Sequence, residues 1–108
     1  MKSKYQFAGK RYTTKRIQNE IEPLLQLYLW DMIDTQRKAG KQMDYLQIFT
    51  LKASVVKNGK PCQELIHSHE IPKREIKEAL LFVQEPVNAK VYVIDDIENV
   101  IMLLAEEY

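Results

Sequence analysis

Apolar positions in the first half of the chain gather into one long arc. Leu24, Leu25, Leu27, Tyr28, Leu29, Trp30, Met32 and Ile33 are interrupted only by Gln26 and Asp31. The arc is wider than a surface stripe, so the pattern predicts a mostly buried helix. Asn19 with Glu22 three residues on resembles a capping box, and Pro23 suits a first turn, so the helix is expected to run Glu20 to Lys38. Arg37, Lys38 and then Gly40 close it. Upstream, Arg11 to Ile17 alternates weakly and reads as a short first strand.

Downstream the period changes. Asp44 to Lys57 is rich in aromatic and β-branched residues and reads as a strand, closed by Asn58-Gly59, with Pro61 to Ile71 returning as its partner. If Asn58 and Gly59 form a two-residue turn, Lys57 faces Lys60, Thr50 faces His67 and Ile48 faces His69. Both faces of that ribbon would be apolar, whereas a sheet solvated on one side should alternate. One helix covers one face, which leaves the other to residues 73 to 83 or to a partner chain, a second copy included. Arg74 to Leu81 favours helix by propensity, while Pro72 and the short length also allow an extended segment; the reading leans to helix. Ala89 to Ile94 is an apolar strand entering Asp95-Asp96. Val100 to Ala105 reads as its hairpin partner, with a terminal helix opened by Asp96 as the alternative.

These elements predict an α+β domain: one long buried helix on a mostly antiparallel sheet of about five strands, occupying residues 11–108 behind a flexible basic arm at 1–10. At 108 residues, 45% hydrophobic and 29% charged, the chain is long enough for a core without disulfide or metal staples. The lone Cys62 has no internal partner, no apolar leader is evident and no run approaches membrane-spanning length, so a soluble, cytoplasmic protein is expected.

Net charge is only +1, but it is unevenly spread. Lys2, Lys4, Lys10, Arg11, Lys15 and Arg16 open the chain, and Asp95, Asp96, Glu98, Glu106 and Glu107 close it. Tyr5, Phe7 and Tyr12 interleave with the cations, a mixture that suits stacking on single-stranded nucleic acid, although a solvated arm leading into a strand has the same composition. Aspartates at a strand end serve turns more often than cation sites, and the glycine and spacing of an EF-hand are missing.

His67 and His69 share a strand face, which permits chelation, but the expected register offers neither of them a third ligand. Glu64, Glu70 and Cys62 have the opposite parity. No catalytic residue, metal ligand or cofactor is assigned, and the imidazoles are read as partly buried or interface groups. Glycine-rich phosphate loops and nucleophile elbows are absent from the sequence.

The blocks RYTTKRI, LLQLYLWDMID, DYLQIFTL, LIHSHEIP, EPVNAKVYVIDD and MLLAEEY resemble a Firmicutes family of small proteins carrying a domain of unknown function, found on chromosomes, plasmids and phages. The resemblance spans roughly Arg11 to Tyr108, and His69 departs from the polar residue expected there. It implies no activity. Residence on mobile elements suggests a non-catalytic macromolecular binding protein that inhibits a host nucleic-acid enzyme, as anti-CRISPR proteins do, with a protein or ribonucleoprotein partner. In that reading the acidic end imitates phosphates and the basic arm grips RNA or an acidic patch. Direct binding of single-stranded nucleic acid by the arm is the second expectation, and a small metal-dependent enzyme a distant third.

Overall fold

The computed structural model describes residues 4–108. Strand β1 (Lys10–Thr13) leads into a short helix α1 (Lys15–Glu20) and a long one, α2 (Pro23–Lys38). Five strands follow: β2 (Leu46–Val55), β3 (Pro61–His69), β4 (Arg74–Leu80), β5 (Ala89–Asp95) and β6 (Asn99–Leu104), then a 3-10 turn at Ala105–Glu107. They form one mixed sheet ordered β1-β6-β5-β2-β3-β4, in which only β1 and β6 run parallel.

Helix formation starts earlier than the apolar pattern suggests. The segment read as a first strand, Arg11 to Ile17, divides at Thr14, whose hydroxyl accepts from the Ile17 amide and caps α1. The expected capping box does not form: Asn19 lies inside α1, and Glu22 sits at the N-cap of α2 without a side-chain bond. Pro23 takes the first turn, where a missing N–H costs nothing. The other end is as expected. Gly40, at φ 70°, lets its own amide reach Arg37 O and that of Lys41 reach Gln36 O, satisfying the last carbonyls in a Schellman motif. One stripe of α2 is buried, comprising Leu25, Gln26, Leu29, Met32, Ile33 and Gln36. Leu24 and Leu27 face solvent, so the helix is amphipathic rather than mostly buried.

Residues 74–80 are a strand, not the helix their propensity favours. Arg74, Ile76, Glu78 and Leu80 lie level with His69, His67, Leu65 and Gln63, and this period-two fit to a sheet edge outweighs a few tenths of a kcal/mol per residue of helix propensity. The sheet therefore has six strands instead of about five.

The hairpin between β2 and β3 is also one residue longer than expected. Val56 N donates to Lys60 O, and Gly59 adopts φ 81°, so the loop is the three residues 57–59 with glycine in the left-handed position. Every facing pair moves by one: Phe49 faces His67, and Ile48 faces Ser68. A one-residue slip exchanges faces. Gln47, Phe49 and Leu51 now share a face with Leu65, His67 and His69, and this is the side the helices cover. Val91, Val93, Val100, Met102 and Leu104 complete the sheet's contribution to the core, against Ile17, Ile21, Leu25, Leu29 and Ile33.

Candidate functional site

The two histidines lie under the C-terminal half of α2, and both are almost completely buried, His67 at 1% and His69 at 3% exposure. His67 stacks on the Phe49 ring, centroids 4.3 Å apart. Its Nε2 is 2.7 Å from Gln47 Oε1, and its Nδ1 is 3.4 Å from Gln36 Nε2. Gln36 Oε1 in turn accepts from Arg74, while Gln47 Nε2 donates to the Asp44 carbonyl and lies 3.2 Å from His69 Nδ1. His69 Nδ1 also accepts from the Asp44 amide at 3.0 Å. The donors thus run one way, from Arg74 through Gln36, His67 and Gln47 to His69, and each imidazole is neutral with its hydrogen on Nε2. His69 Nε2 is buried without a partner.

Burial first, then electrostatic coupling to the His69 ring and the Arg74 guanidinium, pushes the His67 imidazole down to about 4. The His69 pKa is lowered as well, by burial and then Arg74, with Asp44 opposing. Among the described residues no group of three or more His, Cys, Asp or Glu side chains could hold a metal ion. The imidazoles, expected opposite Thr50 and Ile48, have Phe49 and Gln47 as neighbours in the shifted register instead. Cys62 does have the opposite parity, and it is buried on the other face.

Many of the charged residues singled out in the sequence meet inside this chain. Arg11 pairs with Asp34 in a forked contact and lies 4.7 Å over the Trp30 ring. Arg16 bridges Glu20 at 2.6 Å and Glu106 at 2.5 Å. Glu107 accepts from the Thr14 hydroxyl and the Leu104 amide, which hold its carboxyl below the usual range, the amide contributing most. Asp95 is buried and accepts from the amides of Phe7 and Ile97; Asp96 accepts from Asn99 N and shapes the β5–β6 turn. The Glu98 carbonyl takes the Lys10 amide. Lys4 and Lys10 sit over the rings of Tyr5 and Tyr12, and Lys15 is exposed. Lys2 lies outside the described residues. Phe7 is fully buried, and the Tyr5 ring packs on Tyr45, so this part of the arm is anchored.

The helices leave most of the other face of the sheet uncovered. Cross-strand neighbours Tyr12, Ile101, Ile94 and Leu46 form one row on it, and Leu103, Tyr92, Ile48 and Ser68 form the next. Lys90, Thr50, Ile66 and Lys77 follow as a mixed third row. The apolar members of these rows are only partly buried or, at Tyr12, exposed. Two helices on one side and none on the other leave them so, and residues 74–80, expected to cover them as part of a helix, have joined the sheet instead. The Tyr108 ring meets Tyr92 edge-on at 5.7 Å. A hollow of about 440 Å³ adjoins the face at Ile48, Ser68, Lys73 and Glu75. Alternation of residue type cannot flag such a surface from sequence, because both faces of β2 read as apolar until the register is known.

No helix among the described residues is long and apolar enough to cross a membrane. No curated protein matches the chain. A solved structure, the crystal structure of a protein of unknown function from Enterococcus faecalis, shares the fold at a TM-score of 0.75 and 23% identity, covering 93% of this chain and 91% of that one. The family model described as a Staphylococcal protein of unknown function (DUF960) matches residues 10–107. With nearly its whole length matched, the chain belongs to the DUF960 family.

Proposed function

We propose that the protein is a non-catalytic protein-binding module that works through the open face of its sheet. One observation carries this reading: two adjacent rows of large apolar side chains, Tyr12 to Leu46 and Leu103 to Ile48, lie side by side on a sheet face that neither helix covers. Contiguous apolar surface of this kind costs solubility and marks interaction sites more often than isolated exposed leucines do. Lys90, Lys77 and Glu75 border the rows, as the polar rim of an interface borders its apolar centre. The charged chain ends do not enter it, since most of their described side chains have partners within the chain. Inhibition of a nucleic-acid enzyme would be one use of such a module, exerted by occupying a protein surface.

Photo-crosslinking from single positions tests it. A photoreactive residue at Leu103 on the open face should give protein adducts in cells that survive nuclease treatment, and one at Leu27 on the outer side of α2 should give few. Adducts confined to Leu27, or nuclease-sensitive adducts from a probe at Lys4, would favour a different surface or the nucleic-acid reading.

A further inference from the structure

Resting on that reading, we infer that the partner on the open face is a second copy of this chain, packed sheet against sheet about a two-fold axis that runs along the strands between β5 and β2. An isologous interface requires a patch that matches itself, and a two-fold along the midline of a six-stranded sheet lays each strand over its counterpart across that line. Here β5 would lie over the partner's β2. Their residues already correspond: Ile94 is level with Leu46, Tyr92 with Ile48, and Lys90 with Thr50. Apolar rows would therefore meet apolar rows, and the lysine would meet a threonine rather than another lysine. One strand further out, Leu103 is level with Tyr92 on β6, and Ser68 is level with Ile48 on β3, so leucine would meet a small hydroxyl side chain. A heterologous partner demands no such correspondence.

Area points the same way. Six strands at about 4.8 Å spacing, each about seven residues long at about 3.3 Å, present roughly 600 Å² before the relief of side chains is added. Each partner in a standard interface contributes about 800 Å². Aligned sheets pack about 10 Å apart with their strands near −30°, which would turn a two-layer slab into four layers, helix-sheet-sheet-helix, with both sheets inside.

Light scattering on a size-exclusion column, run over a concentration series, reads the mass. The proposal expects twice the 12.8 kDa chain mass, falling to the single-chain mass in Ile48→Asp and in Tyr92→Asp but not in the control Leu27→Asp. Should the charged variants misfold, a mixture of Tyr92→Cys and Ile48→Cys chains supplies an independent reading, since the axis sets these positions against each other. Disulfide dimers should form in the mixture and far less in either chain alone. A dimer that ignores the open-face variants and fails to cross-link from 92 to 48 overturns the arrangement, as pairing along the β4 edge would. A monomer at every concentration whose open face still binds a hydrophobic dye, with binding lost in Ile48→Asp, overturns the second copy but leaves the open-face reading standing. A monomer that binds no dye overturns both.

Discussion

Asp95 is where two left-handed residues are held. Phe7 and Ile97 have φ of 52° and 82°, a region that costs a side-chain-bearing residue about 1–2 kcal/mol, most of all a β-branched one. The amides of both donate to the same buried carboxylate, Phe7 N at 2.8 Å and Ile97 N at 2.7 Å. Asp95→Ala would leave two amides without their acceptor and should destabilise the fold by about 2–4 kcal/mol in urea unfolding. Ile97→Gly should stabilise it by about 1 kcal/mol, because glycine adopts that φ without strain. His67 sets a different test. Its folded pKa of about 4 lies below the usual value of about 6.5, so the unfolded chain binds the extra proton first. Stability is complete above pH ~6.5 and falls as pH drops toward 4, by about 3 kcal/mol at most from this group. A pH series of urea midpoints reads that loss, and an imidazole titrating near 6.5 in the folded protein would contradict it. The turn role of Asp95 and Asp96 was legible from composition. The service of Asp95 to the arm was not, since Phe7 is 88 residues away in sequence.

At the scale of elements, local chemistry was readable wherever it decided the outcome. Gly40 ends α2 and Val100 onward pairs with β5, both as the residues imply, whereas α2 opens at Pro23 instead of Glu20. Tertiary context decided the rest. Propensity in Arg74-Glu75-Ile76-Lys77-Glu78-Ala79-Leu80 favours helix, while Pro72 and the short length allow an extended segment; it becomes a strand because β3 has a free edge with a matching period, and its Glu75 and Lys77 keep that edge from pairing further. The loop at 57–59 shows how little separates two outcomes. Asn58-Gly59 suits a two-residue turn, but glycine serves equally as the third residue of a longer one, and the choice moves His67 from beside Thr50 to beside Phe49. Gly59→Val should cost at least about 1 kcal/mol, because a β-branched residue cannot take φ 81° cheaply. Contacts between the Phe49 and His67 rings in a nuclear Overhauser spectrum would verify the register, and contacts between Thr50 and His67 side chains would refute it.

On the scale of the whole molecule, the opposed charges of the two chain ends become an internal feature. β1 lies parallel to β6, so the first basic residues and the last acidic ones are brought to one side of the sheet, where Arg16 meets Glu106 and Thr14 meets Glu107. Sequence asymmetry alone could not distinguish that from two separate binding patches. The layer count matters more. Both helices pack on one face, and the other carries the apolar rows that the account assigns to binding. Solution nuclear magnetic resonance with a soluble paramagnetic agent tests this directly, by following methyl groups as the protein is diluted. The methyls of Ile48, Ile94, Ile101 and Leu103 should broaden increasingly on dilution while those of Leu65, Val91 and Val93 do not respond. Broadening of the second set, or silence from the first while the protein runs at single-chain mass, would contradict it.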